Sequence, residues 1–152
     1  MSPAKIRYKI VSDRIMLIRD MIAKIRALPL ETFDVYNLDP RNAASAESFL
    51  RRSLESLMDI GRHILAKGFA IAVGEYKMIA TRLHECGVID GTIEKIFSKL
   101  AGYRNRMVHF YDEITDDELY EICTKKLIDI ESVLDTLTRW LKEHPEKIDT
   151  SL

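Results

Sequence analysis

The chain has 152 residues with a formal net charge of −1, and 47% of its residues are hydrophobic and 31% charged. This composition is typical of one folded domain, and it excludes disorder as the main state because enough apolar surface is present to offset chain entropy. With 6 glycines and 4 prolines, the chain is neither collagen-like nor of low complexity. No apolar run approaches the roughly 18 residues of a membrane span, and residues 1–9 lack the apolar segment of a secretory signal.

The balanced charge does not indicate a strongly basic nucleic-acid-binding protein, so any anion site must be local. Cys86 and Cys123 are far apart and have no CxxC partner, which argues against a structural zinc site. They are interpreted as reduced thiols of a cytoplasmic protein, packed as small apolar groups.

Apolar spacing is helical along almost the whole chain. The first segment repeats apolar residues at steps of three and four: Tyr8, Val11, Ile15, Ile18, Ile22 and Ile25. We predict a helix over residues 4–28, ending before Pro29 because a residue that precedes proline disfavours the α conformation. Residues 29–42 are predicted to be a connection without a sustained period.

An apolar stripe at helical spacing, which includes Leu50, Leu54, Leu57 and Ile64, predicts a second long helix over residues 41–67. Gly68 is predicted to be the left-handed residue that closes it. Gly61 lies inside this helix, where glycine costs about 1 kcal/mol relative to alanine. This position indicates the close approach of another helix.

Three further helices are predicted in the second half. One covers residues 75–86, and another starts near Thr92 and runs into residues 104–111. The last begins at the capping box formed by Thr115 and Glu118, which the surrounding acids strengthen, and it ends at Pro145. We expect the tail, residues 146–152, to be frayed.

These segments predict an all-α protein of about five helices, three of them long, with no convincing strand. Short connections favour antiparallel neighbours, so the expected architecture is an up-and-down helical bundle. Residues 1–152 are expected to form a single domain.

One stretch does not resemble a solvated surface. Residues 102–111 combine two arginines, an amide, an imidazole and two phenols. Arginine can bind a phosphate through two parallel hydrogen bonds, and histidine can move a proton near neutral pH. Such a set is sufficient for phosphodiester cleavage without a metal. The plainer interpretation is a solvated helix end, in which Arg104 and His109 interact with the helix dipole.

The geometry of a straight helix does not bring the two main groups together. At about 100° per residue, His109 is displaced from Arg104 by about 140°. Either the helix ends before His109, or the site combines residues from two chains. Asn105 is one turn away from His109 and is placed to orient its ring.

Arg104, four residues, then His109, Phe110 and Tyr111 form an R-x4-H-x-Y motif. This motif resembles that of the HepT-like toxins of the HEPN superfamily, as does the surrounding sequence, residues 102–109. The stretch from Asp59 to Ile64 also resembles that family's D-x-G-x-H-I sequence, and the resemblance covers roughly residues 16–141.

The resemblance implies an all-helical ribonuclease, specifically an endoribonuclease, that acts as the toxin of a type VII-like toxin–antitoxin pair. It also implies a homodimer, no metal or other cofactor, and an RNA substrate. Catalysis is then expected from Arg104, Asn105 and His109. The implied partner is an MntA-like nucleotidyltransferase antitoxin, which silences the toxin by transferring AMP to the motif tyrosine, here Tyr111, a residue also expected to contact RNA.

Three other residues have open roles. Arg106 is interpreted as a contact to RNA, as a contact to the antitoxin, or as plain surface. Asp59 and His63 are four residues apart on one helix face, which favours a structural hydrogen bond, with a supporting role behind His109 as the alternative.

The competing interpretation of the whole chain is a catalytically idle helical module that only binds a nucleotidyltransferase or a nucleotide. The intact set of Arg104, His109 and Tyr111 favours the ribonuclease. A metal-dependent enzyme is disfavoured because candidate ligands are sparse.

Overall fold

A helical bundle accounts for nearly all of the chain. The computed structural model describes residues 5–109 and 113–151, and the all-α prediction is confirmed. Its helices are α1 (Tyr8–Arg26), α2 (Phe33–Asn37), α3 (Pro40–Phe69), α4 (Tyr76–Glu85), α5 (Gly91–Val108), α6 (Asp116–Lys125) and α7 (Leu127–Glu143), followed by a 3-10 turn (Pro145–Lys147). Two short strands, β1 (Ile6–Arg7) and β2 (Ile148–Asp149), pair in parallel. No helix in the described part is both long and apolar enough to cross a membrane.

Helix α3 is the centre of the bundle, because it packs against every other helix. The predicted apolar stripe of α3 is fully buried at Leu50, Leu54, Leu57 and Ile64. This central position allows side chains from α3 to reach the surface where α4 and α5 meet.

Gly61 is the point of closest approach between α3 and α4, as the sequence indicated. A Cβ atom at Gly61 would lie 2.7 Å from Cγ2 of Ile79 and 3.2 Å from Cδ1 of Leu83. Glycine is required here because any side chain would push α4 away.

The end of α3 differs from the prediction. Gly68 remains inside the helix, and the left-handed residue is Ala70, with φ of 55°. The N–H of Ile71 then donates to the carbonyl of Leu65, 3.0 Å away, which closes the helix. Gly68 packs closely against β1, since a Cβ atom there would lie 3.1 Å from Cδ1 of Ile6.

Helix boundaries also depart from the prediction elsewhere. The connection before α3 contains the short helix α2, capped by the Thr32 hydroxyl, which accepts from the N–H of Val35. The predicted last helix is two helices, α6 and α7, that break at Lys126. The break lets α6 pack against α2 and α3 while α7 packs against α5 and α3.

The expectation of a frayed tail is wrong for its first part. Ile148 pairs with Ile6, and Asp149 pairs with Arg7. Nζ of Lys147 also donates to the carbonyl of Gly68, 3.0 Å away. The tail is ordered because the fully buried Ile6 brings the start of the chain beside its end.

The two cysteines are free. Cys123 is buried in the core, and burial raises the pKa of its thiol to about 12. Cys86 is half-buried and packs against the same core. Both positions agree with thiols that act as small apolar groups.

Candidate active site

Helix α5 ends immediately before His109. His109 has an extended backbone, with φ of −107° and ψ of 120°, and its side chain is exposed. The structure therefore shows the first of the two predicted alternatives: the helix ends before His109. The 140° separation expected on a straight helix no longer applies to His109.

An open cavity of about 450 Å³ brings the motif side chains together. Arg104, Asn105 and His109 line it from the end of α5. Arg62 lines it from α3, and the start of α4 with the preceding loop supplies the remainder: Gly74, Glu75, Tyr76 and Lys77. Three permanent cations and one carboxylate thus face this space, which favours an anionic ligand.

Arg104 is held from three directions. Its guanidinium carbon lies 4.5 Å from the centroid of the Tyr76 ring, in a cation–π arrangement. Its Nε is buried, makes no hydrogen bond and lies 3.5 Å from Oε1 of Glu55, so that contact is an ion pair only. Nη1 donates a long, 3.4 Å hydrogen bond to Oδ1 of Asn105. These contacts fix the guanidinium group at the wall of the cavity.

Tyr76 contacts a second arginine as well. The guanidinium carbon of Arg62 lies 4.9 Å from the centroid of the same ring. Sequence analysis did not identify Arg62, Tyr76 or Lys77 as site residues. Tyr76 follows the apolar period of α4, and its position beside Arg104 depends on how α4 packs against α5.

Arg106 contacts helix α6 and the loop that precedes it. Its Nη1 and Nη2 each donate a 2.7 Å hydrogen bond to the carboxylate of Glu118, and Nη2 also lies 3.4 Å from the carbonyl of Glu113. The bond to Arg106 lowers the pKa of the Glu118 carboxyl group. Arg106 does not line the cavity that contains Arg104 and His109.

Asp59 does not line the cavity. Its Oδ2 is 3.7 Å from Nη2 of Arg14, on α1. Burial raises the pKa of the Asp59 carboxyl group, and the charge of Glu55 adds to the increase, whereas Arg14, Arg62 and Arg104 oppose it. Asp59 is therefore an acidic neighbour of both arginines that line the cavity.

His63 contacts strand β1 instead of the cavity. Its Nε2 accepts a 3.0 Å hydrogen bond from the backbone N–H of Arg7, in β1. The expected hydrogen bond between Asp59 and His63 is not formed, and His63 does not line the cavity with His109. Burial, followed by the charges of Lys67 and Arg7, lowers the pKa of His63.

A comparison with known families matches residues 18–137 to the HepT-like ribonucleases. The chain belongs to the HepT-like ribonuclease family. This match contains every element that lines the cavity. A comparison with curated proteins finds no match.

Solved structures share the HepT-like fold of this chain. A tri-AMPylated HEPN toxin of Shewanella oneidensis, in complex with an MNT antitoxin, is 23% identical with a TM-score of 0.77, over 86% of this chain and 97% of that one. A toxin–antitoxin structure with AMP-PNP is 23% identical with a TM-score of 0.75, over 84% and 97%. YutE of Bacillus subtilis, described as a cytosolic protein of unknown function, is 14% identical with a TM-score of 0.73, over 88% and 90%.

The last part of the HepT-like motif lies outside the described residues. The structure does not describe Tyr111, which is the expected site of AMP transfer and a predicted RNA contact. It also does not describe Phe110 and Asp112. Within residues 5–109 and 113–151, no group of three or more His, Cys, Asp and Glu side chains is arranged to hold a metal ion. The absence of a metal and of a cofactor stays a prediction.

Proposed function

We propose that this protein is the toxin of a toxin–antitoxin pair and an endoribonuclease that cleaves RNA without a metal. The observation that carries the proposal is that Arg104, Asn105 and His109 line the same cavity. They do so even though α5 holds Arg104 and Asn105 but ends before His109. Membership of a ribonuclease family supports the reaction class. The free thiols of Cys86 and Cys123 support action in the cytoplasm.

The proposed reaction is the attack of a ribose 2′-OH on the adjacent phosphodiester. His109 accepts the 2′-OH proton, the 2′ oxygen forms a bond to phosphorus, and the bond from phosphorus to the 5′ oxygen breaks. The leaving 5′ oxygen receives a proton from an imidazolium, either His109 or its counterpart in a second chain. Arg104 stabilises the negative charge that develops on the phosphate oxygens, and Asn105 positions His109 or the phosphate.

We propose a homodimer as the active form, because a second copy would bring a second motif to the same phosphate. Within residues 5–109 and 113–151 the cavity opens to solvent, which leaves space for a second motif and supports this arrangement. The alternative, in which one chain is sufficient, predicts that a monomeric variant retains cleavage.

We also propose that an MntA-like nucleotidyltransferase silences this protein by AMP transfer to Tyr111. In that step the Tyr111 oxygen attacks the α-phosphate of ATP, and pyrophosphate leaves as the phenolic proton is lost. The structural neighbour described as a tri-AMPylated HEPN toxin with its antitoxin supports the proposal. Tyr111 follows His109 by two residues, so an added AMP would place a bulky anion near the position of the RNA phosphate.

Cleavage of total RNA in EDTA tests the central proposal. The protein is first confirmed as unmodified by intact mass, since AMP on Tyr111 would mask activity. We expect cleavage by the wild type and loss of it in His109→Ala. The matched control is His84→Ala, because His84 is half-exposed, contacts the Glu94 carboxylate through Nδ1 and lies outside the cavity. No cleavage by the unmodified wild type would favour the idle binding module instead.

AMP transfer by a cognate nucleotidyltransferase tests the role of Tyr111. Labelled ATP should modify the wild type and not Tyr111→Phe. Tyr8→Phe is the control, because Tyr8 is also an exposed phenol. Equal labelling of Tyr111→Phe and the wild type would show that another residue accepts AMP.

A further inference from the structure

Arg62 is a half-buried arginine whose donors are unused. Within residues 5–109 and 113–151 it makes no hydrogen bond or ion pair, and its Nε is buried without a hydrogen-bond partner. Its guanidinium group stacks on the face of the Tyr76 ring, and the charge of Asp59 is nearby without forming an ion pair with it. Nε is the buried donor of this guanidinium group, and a buried donor that has neither a partner nor water costs free energy. The Arg62 side chain is therefore held ready for an acceptor that comes from outside the chain.

The acceptor must enter the cavity that Arg62 shares with Arg104. The two guanidinium carbons lie 4.9 and 4.5 Å from the centroid of one ring, which places them within 9.4 Å of each other. Tyr76 thus holds the guanidinium groups of Arg62 and Arg104 close together. Arg104 also contacts Glu55 and Asn105, whereas Arg62 contacts neither.

The chemistry of the cavity favours phosphate over a neutral group. Arg62, Arg104 and the exposed Lys77 line it, against the single carboxylate of Glu75. The planar fork of arginine matches phosphate oxygens and binds them through two parallel hydrogen bonds. Two guanidinium groups beside the same Tyr76 ring are suited to bind two phosphates of one RNA strand.

We propose that Arg62 binds a phosphate of single-stranded RNA that neighbours the phosphate held by Arg104 and His109, and that Tyr76 positions both arginines. This inference rests on the proposed ribonuclease function and extends it to a two-phosphate site. Arg62 selects polymeric RNA over ligands with one phosphodiester, because a single phosphate satisfies only one of the two guanidinium groups.

The salt dependence of RNA binding tests the role of Arg62. The probe is a fluorescent single-stranded oligonucleotide with 2′-O-methyl ribose throughout, which cannot undergo attack by a 2′-OH, and binding to unmodified protein is followed over a KCl series. Removal of one phosphate contact lowers the slope of log K against log salt by about 0.7 for a single strand. We expect this change in Arg62→Gln, and a slope close to that of the wild type in Arg62→Lys, which retains the charge.

Two further variants separate the outcomes. Arg139→Gln, which alters an exposed arginine of α7 outside the cavity, should keep the wild-type slope. Arg104→Gln should lower it, as the proposed function requires. A slope lowered in Arg104→Gln and unchanged in Arg62→Gln would overturn the inference and leave the proposed function in place. No RNA binding by the wild type would overturn both.

A second experiment uses only the wild-type protein, so a folding defect in Arg62→Gln cannot affect its result. Oligonucleotides in which one phosphate at a time is replaced by a neutral methylphosphonate are compared for affinity. Two adjacent positions should each weaken binding about tenfold, the effect of losing a charge-assisted hydrogen bond. Sensitivity at one position only would contradict a two-phosphate site.

Discussion

Arg106 and Glu118 join the end of α5 to the start of α6 through two hydrogen bonds of 2.7 Å. Arg104, only two residues earlier, contacts Tyr76 on another side of the helix. Two residues span about 200° of a helix, so the arginines of this motif face nearly opposite directions. One of them therefore ties helices together while the other lines the cavity.

Substitution of Arg106 by glutamine should affect stability rather than RNA binding. We expect a loss of about 0.5–1 kcal/mol in the free energy of unfolding, since the pair with Glu118 is about one-third exposed and partly screened. Urea unfolding of Arg106→Gln, Glu118→Gln and the double variant measures the coupling between the two residues. The slope of RNA affinity against salt should not change. A slope lowered by about 0.7 would instead mean that Arg106 contacts the RNA backbone.

Two helical glycines should respond to alanine with opposite signs. Gly61→Ala places a Cβ atom 2.7 Å from Ile79, and overpacking of about 1–3 kcal/mol exceeds the gain of about 1 kcal/mol in helix propensity. A Cβ atom at Gly102 meets no atom of the described residues within 4 Å, so only the gain remains. Thermal melting should show a lower Tm for Gly61→Ala and an equal or higher Tm for Gly102→Ala. A rise in Tm for Gly61→Ala would show that α4 moves away at little cost.

His63 should make the fold sensitive to mild acid. Its pKa is lowered in the folded state, chiefly by burial, and its Nε2 must be unprotonated to accept the N–H of Arg7. The unfolded chain therefore binds a proton at higher pH than the folded chain. The stabilisation is complete above the unfolded pKa of about 6.5 and is lost as the pH falls through the window below it.

The test compares urea unfolding of the wild type and His63→Gln at pH 8 and at pH 5.5. Glutamine retains an acceptor for the N–H of Arg7 and does not titrate. The wild type should lose more stability between the two pH values than His63→Gln does. Asp59, whose raised pKa acts in the opposite direction, is common to both proteins and cancels in the comparison. Equal losses would show that His63 does not contribute to the acid sensitivity.

Removal of the end of the chain should destabilise the fold. Truncation after His144 removes β2 and the contacts of Lys147 with Gly68 and with the Phe69 ring. We expect a loss of about 1–2 kcal/mol, because Ile148 leaves the core and the buried Ile6 loses its cover. The control is truncation after Asp149, which keeps the strand pair and should leave the Tm nearly unchanged. Similar Tm values for both truncated proteins would restore the interpretation of a frayed tail.

Local signals in the sequence predicted the start of α6 correctly. Thr115 caps this helix, and its hydroxyl accepts from the backbone N–H of Glu118, three residues later. Such caps act over a single turn, so the sequence alone contains their cause. The sequence predicts the left-handed end of α3 at Gly68, whereas the structure has it at Ala70. The contact of Gly68 with Ile6, more than sixty positions away, is tertiary and has no local signal.

The sequence by itself determined the helical class, the buried face of α3 and the residues of the motif, since apolar period and residue chemistry are properties of short segments. Only the tertiary structure decided that Arg62 and Tyr76 join Arg104 at one cavity. It also decided that His63 accepts a hydrogen bond from β1 and that Arg106 donates to Glu118 of α6. These contacts depend on the packing of helices that are distant along the chain. Periodicity predicts which face of a helix is buried, whereas the neighbour of each polar side chain is set by the orientation of the helices relative to one another.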